Sequence, residues 1–290
     1  MAWFDRFAAI DWSGAKGKRH KGIAIAWCER GNGPPMLIER GRSWSRTDVL
    51  NWIRQIATGT PRTLIAADFS FAPPFAERGA YLPGVDAPDT AADFWAFVDD
   101  HATDEDLGAS SFLHAAFPDH FYFGAADGRK ADYLFWRQCE HRFNEQGGGK
   151  SSTVYDAIGA GQVAKASFAG MRVLHHLNGA IPVWPFDFAE NPAAAHDSSG
   201  SVLCEMYARA FIQLSGSRRG LKLRSAAALN AALAALGSKP VKGSNLDDHQ
   251  TDVLVTAAGL RAIADDPRYW SPPGLTPKIA RTEGWTFGVA

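Results

Sequence analysis

The first quarter of the chain alternates short apolar runs with polar, turn-forming segments. Residues 7–11 (FAAID) read as a strand, and WSGAKGKRHKG then supplies turn residues and positive charge before a second strand in GIAIAWCE. PMLIERG holds a third strand. Val49, Leu50, Ile53 and Ile56 then recur at helical spacing over residues 47–57, with Thr47 and Asp48 at the expected start. TLIAADFSF restores a buried strand over residues 63–68, so the first and fourth strands both end on an aspartate, Asp11 and Asp68. The consecutive prolines of FAPPFAERGAYLPG stop any central strand there. From about 75 to 200 the pattern changes to short aromatic-rich helices and Gly-rich connections, with one further helix near 160–177. SVLCEMYARAFI reads as a fifth strand followed by a turn or helix. SAAALNAALAALG is helical and punctuated by Gly237. Ser244 or Asn245 is expected to cap a last long helix carrying Leu246, Val253, Leu254, Ala257, Leu260 and Ile263, and EGWTFGV forms a final short strand.

This succession implies an α/β class. A length of 290 residues allows two ordinary domains, but the order of elements favours one core, built from about 1–74 and 201–290 and interrupted by a large insertion of about 75–200 after the fourth strand. Thirty Lys and Arg against 31 Asp and Glu exclude a broadly basic nucleic-acid coat and leave only local patches. Cys28, Cys139 and Cys204 form no Cys-x-x-Cys pair, which disfavours a zinc knuckle or a disulfide framework. The first residues lack the apolar core of a signal peptide, and no run is long enough to span a bilayer, so a cytoplasmic protein without membrane contact is expected.

Two glycine motifs invite nucleotide readings. GAGQVA at 159–164 satisfies a loose G-x-G-x-x-A pattern, with 154–158 as its conceivable strand, but no strand–helix repeat follows to present a ribose-binding acid. NEQGGGKS resembles a phosphate loop, yet Asn144 stands at its first glycine position and a helical segment precedes it. Lys150 remains available to an anion as a point charge.

The acids form the stronger constellation. Adjacent strands bring Asp11 and Asp68 together, and Asp248 and Asp252, four residues apart, share a helical face that can point at those strand ends. Glu205, at the end of VLCE, is placed to enter the same cluster, with Glu283 a weaker candidate. Like-charged carboxylates repel, and hard divalent cations compensate them through oxygen ligation, which makes Mg2+ or Mn2+ the expected cofactor. Asp11 is the preferred bridging ligand, Asp68 and Asp252 its partners, Asp248 either an additional ligand or an acid just behind the ligands, and Glu205 a further member of the cluster. The ordinary alternative is that these aspartates only cap turns and a helix start. His249 adjoins the cluster as a proton carrier or an exposed helix histidine. Lys16, Lys18 and Arg19, with Lys21, form a local funnel for phosphate, and Arg218, Arg219, Lys222 and Arg224 make a second basic patch. Phe69, Phe71 and Trp136 offer either base stacking or core packing.

Taken in order, AAIDWSGA, IAADFSFAPP, KSSTVYDAIGAGQVAKASFAGM, VWPFD, CEMYAR and DDHQTDVLVTAAG resemble DUF429, a family of predicted RNase H-like nucleases. The resemblance covers most of the chain. It implies an RNase H-like mixed sheet with flanking helices and an inserted subregion, and it maps the family's acids onto Asp11, Asp68, Glu205, Asp248 and Asp252. CEMYAR departs from the family's E-x-Y-P-R by Ala208 in place of proline, while Glu205, Tyr207 and Arg209 match, which adds Arg209 to Lys16, Lys18, Arg19 and Lys150 as substrate contacts. The resulting expectation is divalent-metal-dependent phosphodiester hydrolysis, with DNA, RNA or a smaller phosphodiester as substrate. The alternatives are an ATP-dependent phosphotransferase or ATPase using Asp11 and the Ser13–Gly14 turn, and a non-catalytic module binding nucleic acid or a phosphate ligand.

Overall fold

Seven strands assemble into one mixed sheet, and the local hydrophobic runs explain its polarity. The structure is a computed structural model that describes residues 4–159, 162–218, 222–242 and 245–290. Strands β1 (Arg6–Asp11), β2 (Ala24–Glu29) and β3 (Met36–Leu37) form an antiparallel meander. Helix α1 (Arg46–Ala57) returns the chain to β4 (Thr63–Ala67), which pairs parallel to β1 in the register Ile10↔Ala67. After a long excursion containing α2 (Ala91–Asp100), α3 (Gln138–Glu145) and α4 (Ala164–Leu177), the short β5 (Val183–Trp184) precedes β6 (Val202–Met206). The chain continues through α5 (Ala208–Leu214), α6 (Ala226–Ala235), α7 (Asp248–Ile263) and α8 (Pro277–Thr282) to β7 (Thr286–Phe287). The strand order is β3-β2-β1-β4-β6-β5. β5 covers Leu203 and Cys204 on the far edge of β6, and β7 covers Glu205 and Met206 on the same strand.

Side chains alternate across the pleat, and two cores follow from that period of two. Ala8, Ile10, Ile65, Ala67 and Leu203 point to one face, where α1, α2 and α4 cover them with an aromatic-rich layer. Phe7, Ala9, Leu64, Ala66 and Cys204 point to the other, which α5 to α8 cover. The molecule is an α/β protein whose mixed sheet has helices on both faces.

Several local expectations need correction. The cap of α1 is Ser45, two residues before Thr47. Its hydroxyl accepts the Asp48 N–H at 2.9 Å, and the Asp48 carboxylate accepts the Ser45 N–H at 3.2 Å, a reciprocal capping box. The cap of α7 is Asp247, boxed with Gln250. Asn245 sits before it at φ 74°, and Ser244 lies outside the described residues. The 75–200 segment does more than interrupt the core: α4 covers one face of the sheet and β5 extends it. No regular strand precedes GAGQVA, where Asp156 makes only an isolated bridge to Tyr122, and Ala160 and Gly161 lie outside the described residues. NEQGGGKS follows α3, not a strand. Phe69 and Phe71 are core residues, while the Trp136 indole N–H donates to the Ser151 carbonyl at 3.0 Å. Among the described residues no helix is long and apolar enough to cross a membrane.

Gly170 shows how closely α4 approaches the sheet. A Cβ there would lie 2.2 Å from the Phe69 ring, next in sequence to Asp68. Overpacking of this kind costs roughly 1–3 kcal/mol. Gly170→Ala is therefore expected to lower the melting temperature by about 2–5 °C for a chain of this size, checked by thermal unfolding. An unchanged midpoint would contradict this packing.

Candidate acidic site

Parallel pairing and the pleat decide which acids meet. Asp11 ends β1, and the Asp68 N–H donates to the Ile10 carbonyl at 2.9 Å immediately after β4, so both carboxylates leave the same end of neighbouring strands. Asp11 continues the alternation of Phe7 and Ala9, and Asp68 that of Leu64 and Ala66, so both project to the face covered by α7. Asp252 comes from the second turn of that helix, which packs on β1 and β2.

Burial raises all three acids, and the Asp11 charge raises the other two. Burial is the first cause of Asp68 standing well above the ordinary carboxyl range, followed by the fields of Asp11, Asp252 and Glu205. Asp252 is pushed from 3.8 to about 7, by burial first and then by Asp11, against the partial relief of Lys222 and His249. Asp11 is also raised by burial, although His249 opposes the shift through a 3.3 Å contact between its Nδ1 and an Asp11 carboxylate oxygen. That contact and the Asp11 charge raise His249 in turn. The imidazole lies beside Gly22, 3.4 Å from where a Cβ would stand, an ordinary packing distance.

Glu205 does not share this face. It alternates with Cys204 and Met206, so it projects with Leu203 to the opposite side of the sheet. There Arg137, buried in the segment before α3, holds both of its oxygens at 2.5 and 2.7 Å, while the Phe71 N–H and the Thr286 hydroxyl each donate at 2.7 Å. Arg137 also bonds Glu140 at 3.0 Å and the Glu283 carbonyl at 3.2 Å. Glu283 is equally structural: its carboxylate accepts the N–H groups of Phe75, Ala76 and Gln138 at 2.6–2.8 Å, pinning the loop after β4 to the start of α3. Asp248, one turn before Asp252, is held by Lys222 and by Arg224 at 3.3 Å, and these cations keep its carboxyl below the usual range.

The basic residues divide similarly. Arg19 bonds the Ser43 carbonyl and Asp48, both at 2.8 Å, at the start of α1, and Lys18 pairs with Glu105 at 3.3 Å. Lys16 is exposed beside a recess of about 210 Å³ shared with Arg46 and Asp104. Lys150 is exposed next to Ser151, and the Arg209 guanidinium lies 5.4 Å from the centre of the Tyr207 ring. Ser151 and Tyr207 line a cavity of about 220 Å³ that opens beside Asp68. Lys222 and Arg224 serve Asp248, Arg218 is exposed, and Arg219 lies outside the described residues.

The Ser13–Gly14 turn is fixed from two sides. Buried Arg46 donates to the carbonyls of Ser13 and Ala15 at 2.7–3.1 Å, and a Cβ on Gly14 would lie 2.4 Å from the Ala166 backbone nitrogen at the start of α4. Arg46 and Arg137 were not legible as site residues, because each sits in an unremarkable local pattern and acts through carbonyls or an acid distant in sequence.

The donor set of Asp11, Asp68 and Asp252 suits a hard divalent cation: oxygen ligands, mutual repulsion, and no hydrogen-bond donor on the Asp68 or Asp252 carboxylate among the described residues. The side chains do not stand as a closed ligand shell. Among the described residues no three His, Cys, Asp or Glu are grouped so as to hold a metal ion. The fit is one of donor chemistry. No family model, no curated protein and no solved structure matches the chain.

Two outcomes follow. A carboxyl raised in the folded state favours folding while protonated, and that contribution is lost as pH rises through its folded value. Without divalent ions, stability is thus expected to fall between about pH 4 and pH 8, the window set by Asp252. Asp252→Asn is expected to recover roughly 1–2 kcal/mol at pH 8 and little at pH 4, after allowance for relaxation. Urea titrations at the two pH values check it, and an equal effect at both would refute the coupling. Separately, Arg137→Met leaves Glu205 buried and unpaired and is expected to cost about 3–5 kcal/mol, whereas Lys222→Ala, at an exposed pair, is expected to cost under about 1 kcal/mol. Similar losses in chemical unfolding would reject the structural role of Arg137.

Proposed function

We propose that this protein is a divalent-metal-dependent phosphodiester hydrolase on an RNase H-like sheet, acting on DNA or RNA. The observation that carries the reading is the placement of Asp11 and Asp68 at neighbouring strand ends beneath the helix that carries Asp252, where all three are raised by burial and the Asp11 charge further raises Asp68 and Asp252. The arrangement of a meander, a parallel β4 and β6, and helices on both faces supports the same reading, as does the ordered resemblance to DUF429. Asp11, Asp68 and Asp252 would hold Mg2+ or Mn2+. Bound there, the cation supplies positive charge to the carboxylates and to the charge that develops on the phosphoryl oxygens.

The chain's own residues do the rest. The Trp12 indole N–H donates to the Ala166 carbonyl at 3.1 Å and, with Arg46, fixes the turn that follows Asp11. His249 carries a proton at the atom facing Asp11 and is half-exposed, so it can exchange that proton with solvent or a substrate oxygen. Arg137 pairs with both oxygens of Glu205, so the field of that carboxylate adds to those acting on Asp68 while its oxygens stay engaged. Glu205 and Asp248 act in this reading as supports, with Asp248 drawing Lys222 and Arg224 toward the first turn of α7. An ATP-dependent phosphotransferase would be favoured by a second, duplicated lobe, and the described residues form one sheet.

The test is an assay of purified protein on single- and double-stranded DNA and RNA and on hybrids, with Mg2+, Mn2+ or chelator. Cleavage is expected to require the metal and to fall at least about 100-fold in Asp11→Asn and Asp252→Asn, the order expected when a metal's charge stabilisation is lost. Glu205→Gln is expected to lose stability before activity. Cleavage unchanged by both aspartate substitutions would sink the assignment, and binding without cleavage would favour a non-catalytic module.

A further inference from the structure

A cavity shares Asp68 with the acidic centre but holds neither Asp11 nor Asp252 in its lining. Trp12, Phe69 and Tyr207 contribute aromatic surface to its wall, and Ser70, Ser152 and Thr286 contribute hydroxyls. Its volume of about 220 Å³ falls below the roughly 300–1,000 Å³ of pockets for drug-sized ligands and admits no duplex. Its polar floor is closed, because Arg137, Glu140 and Glu205 satisfy one another there. Two hydroxyls are different: those of Ser152 and Tyr207 have no protein hydrogen-bond partner among the described residues. Tyr207 is half-buried, with Phe143 edge-on to its ring at 5.4 Å and the Arg209 guanidinium at the same distance. An aromatic ring held by Phe143 at its edge, with a cation over one face and unengaged hydroxyls nearby, suits a flat heterocycle with polar edges on its other face.

We infer that this cavity takes one unpaired nucleobase of the substrate strand, with Tyr207 as the stacking residue that sets a preference for single-stranded or frayed nucleic acid. The inference rests on the hydrolase reading, since Asp68 belongs to both the cavity and the acidic centre and would place the scissile phosphate next to the bound base. A base inside a duplex must leave its stack to enter a pocket of this size, and that cost is least where it is already unpaired.

The probe is 2-aminopurine riboside, a neutral nucleoside whose binding in chelator does not depend on metal or on phosphate charge. The full chain is expected to quench its fluorescence. Tyr207→Ala and Ser152→Trp, the second filling the cavity, are each expected to weaken binding about tenfold, the lower range of one lost base stack, while Tyr207→Phe retains it. With Asp252→Asn protein, a single-stranded oligonucleotide carrying 2-aminopurine is expected to be quenched and a blunt duplex carrying it to be spared. Circular dichroism confirms that each variant is folded, and if Tyr207→Ala is not, Ser152→Trp carries the test. No quenching, equal quenching of the duplex, or binding unchanged by a folded variant would overturn the inference. Nucleoside binding without metal-dependent cleavage would overturn the hydrolase reading alone, and cleavage without base binding would overturn the cavity assignment alone.

Discussion

Everything in the acidic centre depends on the parallel register of β1 and β4. Pairing Ile10 with Ala67 places the next residue of each strand at one sheet end and, through the pleat, on one face. A slip of one residue would send either Asp11 or Asp68 into the aromatic layer under α1 and α4. That slip is opposed by the whole core, since it would turn Ile65 and Ala67 toward α7 and Leu64 and Ala66 away from it. The apolar residues therefore aim the acids, and the repulsion among those acids is tolerated because the register cannot relax to relieve it.

The same parity separates two acid populations that look alike in sequence. Asp68 and Asp252 are buried without a hydrogen-bond donor on their carboxylates among the described residues and lie in the field of Asp11, whereas Glu205 and Glu283 receive Arg137 or backbone N–H groups and work as internal fasteners. A buried carboxylate with matched donors stabilises local geometry, and one without them stores electrostatic energy that a ligand can release. The fasteners lie directly beneath the loop that follows Asp68. The stored repulsion is thus held in place by neighbouring satisfied charges.

Legibility in the sequence followed locality. β1, β2 and β4 are visible because each is a continuous apolar run, α1 and α7 because their apolar residues recur at helical spacing, and α6 because its alanine-rich run favours helix and ends at Gly237. β5 is two residues long between prolines, and only its pairing with Leu203 and Cys204 makes it a strand. That Asp11 and Asp68 end neighbouring strands was readable from the apolar runs before them, and the place of Asp252 on the last long helix from its spacing. The position of Glu205 was not, because a strand-end acid has two possible faces and the choice is made by residues packed far away in the chain. The pairing of Asp248 with Lys222 and Arg224 was not readable either, because sharing a helical face with Asp252 does not decide which cations a carboxylate meets.

The far edge of β6 has a temporal consequence. Its first half is covered by β5, close in sequence, but Glu205 receives its hydroxyl donor from Thr286, 81 residues later. Closing so long a loop costs entropy before any contact rewards it. The side of the sheet nearest Asp68 is consequently assembled from distant parts of the chain. A nascent chain holding β1, β4, β5 and β6 would have Asp11 and Asp68 in register while the second half of this edge was still unpaired, so the centre acquires Asp252 and then its rigid surroundings only with the arrival of α7 and β7.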